Sequence, residues 1–195
     1  MIVHRNLTVQ GNTNVFYREA GQPSKPTVLL LHGFPTSSFQ YRNLIPLLAR
    51  NYHIIAPDLP GFGFTVTPPD YVYTFATLAE TIAAFLQKLQ LDHMAVYMFD
   101  YGAPIALRLA TQHNVRFDAI ISQNGNAYVE GFAHPFWDST MRLWQTNSAA
   151  DRDALQADAI SLEAYKGQYE TGVSQKAIGF IDPATNTLER AKYHF

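Results

Sequence analysis

Apolar and polar residues alternate over positions 5 to 9 and 14 to 19, on either side of Gly11-Asn12. A period of two sends successive side chains to opposite faces, so the pattern predicts an antiparallel hairpin with one buried face. The next apolar runs do not alternate. Thr27-Val28-Leu29-Leu30-Leu31, His53-Ile54-Ile55-Ala56, Met94 to Phe99 and Ala119-Ile120-Ile121-Ser122 are short and nearly continuous, as strands buried on both faces are. Between them the period becomes helical. From Thr74 to Leu89, the residues Phe75, Leu78, Ile82, Phe85, Leu86 and Leu89 share one face, and Thr77 with Glu80 has the spacing of a capping box. A second helix follows Gly102, carrying Ile105, Leu107 and Leu109, and a third is predicted from about Phe39 to Arg50. Strand, helix, strand at this spacing predicts right-handed crossovers, hence an α/β fold on a mostly parallel sheet.

After Gly125 the strands stop. Residues 126–195 hold aromatics, an alanine-rich stretch with mixed charges near 149–164 and scattered turn signals. The chain thus divides into an α/β core over 1–125 and a mostly helical segment over 126–195. Asn186 to Phe195 opens like a helix, with Asn186 and Glu189 in capping positions, and has no stop signal. The expectation is that the chain breaks off inside a helix.

Composition narrows the partners. A chain of 195 residues, 47% hydrophobic, can bury a substantial core, and a net charge of -2 with 15% charged residues gives no electrostatic footprint for nucleic acid or an anionic membrane. The expected partner is a small hydrophobic molecule. With no cysteine, disulfides and thiolate metal sites are excluded; the seven histidines include no pair at i, i+4, so no metal is expected. No cofactor is called for. The amino terminus lacks the basic and apolar regions of a secretory signal, and no apolar stretch nears the roughly 20 residues of a bilayer span, so a cytoplasmic location is expected.

Three stretches carry chemistry. In Val96-Tyr97-Met98-Phe99-Asp100-Tyr101-Gly102-Ala103-Pro104, an apolar strand runs into a helix through one acidic residue. This is the shape of a nucleophile elbow, whose tight turn lifts the reactive side chain above the sheet. Gly102 and Ala103 supply the small residues expected after the nucleophile, whereas Met98 stands where a small one is expected before it. At a helix amino terminus the peptide dipoles favour an ionised carboxylate. Asp100 is therefore the candidate nucleophile, and an ordinary N-cap aspartate is the alternative. The second stretch, His32-Gly33-Phe34-Pro35, follows an apolar strand. Backbone N–H groups of Phe34 and Tyr101 can converge there as an oxyanion hole, with His32, Gly33, Pro35 and Gly102 shaping the loops. His32 is read as structural. The third, Pro57-Asp58-Leu59-Pro60-Gly61-Phe62-Gly63, is read as a glycine-rich turn with a capping aspartate, since it lacks the Lys-Ser/Thr of a phosphate loop.

In this order the three stretches resemble the α/β-hydrolase superfamily, in particular its epoxide hydrolase and haloalkane dehalogenase branch. The resemblance covers roughly residues 5–125, with the remainder as part of a helical cap. It implies an α/β-hydrolase fold and an aspartate that attacks saturated carbon to give an alkyl-enzyme ester, later cleaved by water. Dehalogenases of the branch carry asparagine where this chain has Phe34 and tryptophan where it has Tyr101, both holding the departing halide. Epoxide hydrolases carry phenylalanine at the first position and open the ring with cap tyrosines, for which Tyr128, Tyr165 and Tyr169 are the candidates. The resemblance thus implies an epoxide hydrolase type of activity. Dehalogenation or other ester and C–X hydrolysis is the first alternative, and a non-catalytic binding module on the same fold is the second.

The superfamily order of nucleophile, acid, histidine also implies late strands that are not read here. His113, His134 and His194 follow Asp100 without the expected context, and Asn124, at the spot of one alternative acid, cannot carry charge. The expectations are an incomplete chain lacking the triad acid and histidine, and a sixth strand left as an apolar edge through which copies could pair.

Overall fold

A computed structural model describes residues 1–159 and 162–185. Six strands form one sheet in the order β1-β2-β4-β3-β5-β6. The hairpin appears as β1 (Ile2–Thr8) and β2 (Asn14–Ala20), paired antiparallel from Ile2↔Ala20 to Thr8↔Asn14. Its connection is a short 3-10 turn over Gln10–Asn12, in which Gly11 and Asn12 take positive φ. β2 runs antiparallel to β4 (His53–Pro57), whereas β3 (Thr27–Leu31), β4, β5 (His93–Phe99) and β6 (Arg116–Gln123) are mutually parallel along the order.

The continuous apolar runs of β3 and β4 have the predicted cause, whereas β5 alternates buried and half-buried positions. Val28 to Leu31 and all of β4 are buried, since helices and loops cover both faces of the central strands. α2 (Phe75–Lys88) inserts Leu78, Ile82, Phe85 and Leu86, and the Phe85 ring meets Tyr17 edge-on at 5.0 Å. Burying a ring of that size contributes on the order of 1.5–3 kcal/mol. α3 (Gly102–Gln112) follows β5 directly and buries Ile105, Ala106 and Leu109.

Three local expectations are corrected. The helix predicted over 39–50 is broken into a 3-10 turn at Ser38–Tyr41 and the single turn α1 (Ile45–Leu48). Pro46 near the start of α1 has no N–H and crowds the preceding turn, so helix can begin there but not run through. The cap of α2 is Thr74, whose side chain accepts from Thr77 N–H at 3.1 Å; Thr77 is thus already inside the helix and does not start a capping box with Glu80. β6 is not buried on both faces: Ile120 and Ile121 are about half exposed because β6 is the outer strand among the described residues.

The chain separates into two compact units, Met1–Ala127 and a second beginning at Tyr128. The second contains α4 (Asp138–Thr146), α5 (Ala149–Ala159), α6 (Leu162–Glu170) and α7 (Gln175–Ile178) and no strand among the described residues. Within it, Phe132, Trp137 and Trp144 form a ring cluster, and Arg142 Nε pairs with Asp151 at 2.7 Å. The helix start predicted at Asn186 lies outside the described residues. No described helix is long and apolar enough to cross a membrane.

Candidate active site

β5 delivers Asp100 to the carboxyl end of the parallel strands, where α3 begins. The turn is sharp: Asp100 has φ +49°, a left-handed conformation unusual for a residue with a Cβ. Such a conformation persists only where the surroundings over-determine it. Here α3 packs so tightly on β3 that a Cβ at Gly102 would lie 2.8 Å from Leu31 Cβ and 2.9 Å from its carbonyl carbon. Met98, the residue out of keeping with a tight elbow, is a buried β5 residue between Leu31 and Ser122. The close approach is instead secured after the turn, by Gly102 and the fully buried Ala103. An unbranched methionine adapts to the space left.

The loop following β3 meets this turn. Phe34 N–H donates to Asp100 Oδ1 at 2.8 Å, and Tyr101 N–H donates to the same oxygen at 2.7 Å. A single carboxylate oxygen therefore sits between the two amides that the sequence singled out. The approach is close because residue 33 is glycine: a Cβ there would lie 2.5 Å from Asp100 Oδ1. Oδ2 accepts no hydrogen bond from the described residues. It is not sealed in, because the buried side-chain polar atom lacking a partner among these residues is Gln40 Oε1.

Burial raises the Asp100 pKa above its ordinary value, and the Phe34 and Tyr101 amides pull it back down. The Tyr101 phenol is likewise raised, by burial first and then by the Asp100 charge. Around the carboxylate stand aromatic rings. Tyr101 lies 5.8 Å from Phe34, 6.0 Å from Phe62 and 4.9 Å from Phe75, measured between centroids. The setting is largely aromatic and uncharged apart from Asp100 itself, which suits an uncharged ligand.

His32 is fully buried and holds the loop. Leu59 N–H donates to its Nε2 at 3.0 Å, so the proton is on Nδ1, which donates to Gly33 O at 2.9 Å. Burial pushes its pKa down, and with both ring nitrogens occupied it is a structural imidazole, unable to take a substrate proton. Pro35 is buried in the same loop. The capping aspartate of the third stretch does more than close a turn: Asp58 accepts from Ser38 N–H and Phe64 N–H, each at 2.8 Å. These partners are 20 residues upstream and 6 downstream, and local sequence gives only a capping signal at Asp58 itself.

The cap-tyrosine candidates belong to the second unit. Tyr128 is exposed and precedes a 3-10 turn, and Tyr165 and Tyr169 lie on α6, all in the second unit. The side chain of Tyr165 lies outside the described residues. No histidine hydrogen-bonds Asp100 among the described residues. His113 caps the end of α3, and His134 pairs with Asp138 on the surface; His194 lies outside the described residues. No group of three metal-ligating side chains occurs among the described residues.

Comparison with known proteins agrees with this architecture. A hydrolase of Saccharomyces cerevisiae, itself uncharacterized, is 46% identical over 195 residues, taking in 95% of this chain and 64% of that protein. A haloalkane dehalogenase of Mycobacterium marinum is 35% identical over 111 residues, 56% of this chain and 37% of that one. A loop variant of a haloalkane dehalogenase from Bradyrhizobium elkanii superposes with TM-score 0.69 and 26% identity, covering 98% of this chain and 64% of its own. An epoxide hydrolase shares the fold at TM-score 0.68 and 21% identity, over 99% of this chain and 73% of its own. The chain thus spans less than two thirds of the length of the yeast and mycobacterial relatives. Residues 26–178 match the family model described as alpha/beta hydrolase fold, and the chain belongs to that family.

Proposed function

We propose that this chain is a hydrolase of the epoxide hydrolase type, with Asp100 as the nucleophile that forms an alkyl-enzyme ester. The observation that carries the reading is the division of labour within one carboxylate: Oδ1 is held by two amides, and Oδ2 accepts no hydrogen bond from the described residues. In the proposed first step Oδ2 forms a C–O bond to a saturated carbon of the substrate. The epoxide C–O bond breaks, and its electron pair stays on the ring oxygen, which takes up a proton. Oδ1 becomes the carbonyl oxygen of the ester. It is then already between the Phe34 and Tyr101 amides, where negative charge gathers when water adds to the ester carbon. Left-handed strain at Asp100 supports the reading, since such strain clusters at reactive residues.

Phe34 and Tyr101 favour an epoxide over a halide. An expelled halide needs N–H donors, and neither side chain has one, whereas the oxygen of an opened epoxide remains attached and requires only a proton. Tyr128, Tyr165 and Tyr169 are the proposed donors of that proton from the helical cap, residues 126–195. The second reading, dehalogenation, is favoured by relatives named haloalkane dehalogenases. A catalytic-site-free role as a binding module is the third.

The test is incubation with styrene oxide and, separately, with 1-bromobutane, followed by intact-mass measurement and bromide detection. The proposal expects a covalent adduct with the epoxide and little with the bromide. Adduct and bromide release from bromobutane alone would favour dehalogenation. Binding without either adduct would favour the binding module.

A further inference from the structure

The Phe34 amide is useful only if its loop is held to a fraction of an ångström, and the hydrogen bonds show what holds it. The loop leaves β3 at His32 and enters the 3-10 turn at Ser38, and it is cross-linked at both ends to the segment that follows β4. At the near end, Leu59 N–H donates to His32, which donates to Gly33 O. At the far end, the Asp58 carboxylate, fully buried, accepts from Ser38 N–H through Oδ1 and from Phe64 N–H through Oδ2. The backbone of Asp58 is itself tied, since Thr65 Oγ1 donates to its carbonyl oxygen at 2.6 Å and accepts from Phe16 N–H at 3.1 Å.

A buried carboxylate needs more than two amides. Arg18, buried on β2, supplies the charge: its Nε donates to Ser38 Oγ at 3.0 Å, and Asp58 interacts electrostatically with its guanidinium. Ser38 thus receives Arg18 on its side chain and gives its amide to Asp58.

Resting on the reading of Asp100 as nucleophile, we propose that Asp58 is a positioning residue for the oxyanion half-site. It acts through Ser38 and the Gly33–Ser38 loop to keep the Phe34 amide on Asp100 Oδ1, and it touches no substrate. The titratable groups facing Asp100 are Tyr41 and Tyr101, both raised by burial and so uncharged; those facing Asp58 are Arg18 and neutral His32.

The experiment follows alkylation by styrene oxide as a function of pH in Asp58→Asn, Thr65→Val and Asp100→Asn. Losing the Phe34 amide removes a group that stabilises the ionised carboxylate. The inflection of the alkylation profile is expected to move up by about one pH unit in Asp58→Asn, with a plateau rate about tenfold lower. The direction is diagnostic: deleting a negative charge would by itself move the Asp100 inflection down. Thr65→Val keeps the carboxylate and removes its backbone tether together with the acceptor of Phe16 N–H, so it carries the test if Asp58→Asn does not fold. A smaller upward shift is expected. A folded Thr65→Val or Asp58→Asn protein with an unmoved or lowered inflection overturns the proposal. An adduct that persists in Asp100→Asn overturns instead the assignment of the nucleophile.

Discussion

Gly33→Ala isolates the geometry at the candidate nucleophile. The new Cβ would lie 2.4 Å from Asp100 Cβ, 2.5 Å from its Oδ1 and 2.8 Å from its Cγ, where ordinary contact begins at 3.4 Å. The Asp100 side chain as a whole must retreat by about 1 Å. Directed along the Phe34 bond, that retreat takes an N–H···O separation of 2.8 Å well past the limit of roughly 3.2 Å. Negative charge leaves the carboxylate as it is alkylated, so the bond acts by aiming Oδ2 rather than by stabilising the transition state. A misplacement of about 1 Å should slow alkylation of Asp100 on the order of 10- to 100-fold. The steric cost to stability should be about 1–3 kcal/mol, the range for overpacking. Gly33 does not have positive φ, so alanine adds no backbone strain. The assay is the rate of adduct formation with styrene oxide, read by intact mass alongside urea unfolding of the same preparation. A folded Gly33→Ala protein that alkylates at the unsubstituted rate would refute the claim that amide contact at Oδ1 sets reactivity.

Asp100→Asn should abolish alkylation while changing how stability depends on pH. Because burial raises the folded carboxyl above its ordinary value of 3.8, the native state binds the proton more tightly than the unfolded chain. Stability is therefore fully present below the unfolded value and declines as pH rises through the raised folded one. The variant lacks this decline, so its advantage in urea midpoint should grow from acid to neutral pH; a constant difference would contradict the linkage. Thr74→Ala should cost about 1 kcal/mol, measured by urea unfolding, through the lost cap on Thr77 N–H. The exposed β6 edge, with Ile120 and Ile121 half exposed, is proposed to pair between copies. Sedimentation should show concentration-dependent association that Ile121→Lys weakens, and a monodisperse monomer of the unsubstituted chain would count against it.

How far the sequence could be read depended on how local the cause was. The hairpin's inner strand β2 and the buried strands β3 and β4 were legible because a period of two and an unbroken apolar run reflect immediate burial, whereas β1 is mostly exposed. The meeting of Asp100 with the Phe34 and Tyr101 amides was legible from an unusual local pattern: an acid between an apolar strand and Gly102-Ala103, and a glycine before Phe34. Met98 departed from the elbow pattern, yet the turn forms because close approach is needed on the α3 side. Pro46 broke the helix expected from the apolar spacing of 39–50, and Thr74 won the cap from Thr77 because the chain is already helical at Thr77. The exposure of Ile120 and Ile121 was hidden from periodicity, since it depends on what lies beside β6 rather than on the strand. The long-range partners of Asp58 are hidden from local sequence for a related reason. Its role depends on Ser38 and Arg18, 20 and 40 residues upstream, brought together only by the sheet order β2-β4-β3.

The reading rests on one oxygen of Asp100 being bound and the other being reactive. The direct test is to treat the protein with styrene oxide at neutral pH, digest it, and locate the added mass by tandem mass spectrometry. One ester is expected, on Asp100, and none in Asp100→Asn. A modification on another residue, or none on a folded protein that binds the epoxide, would contradict it.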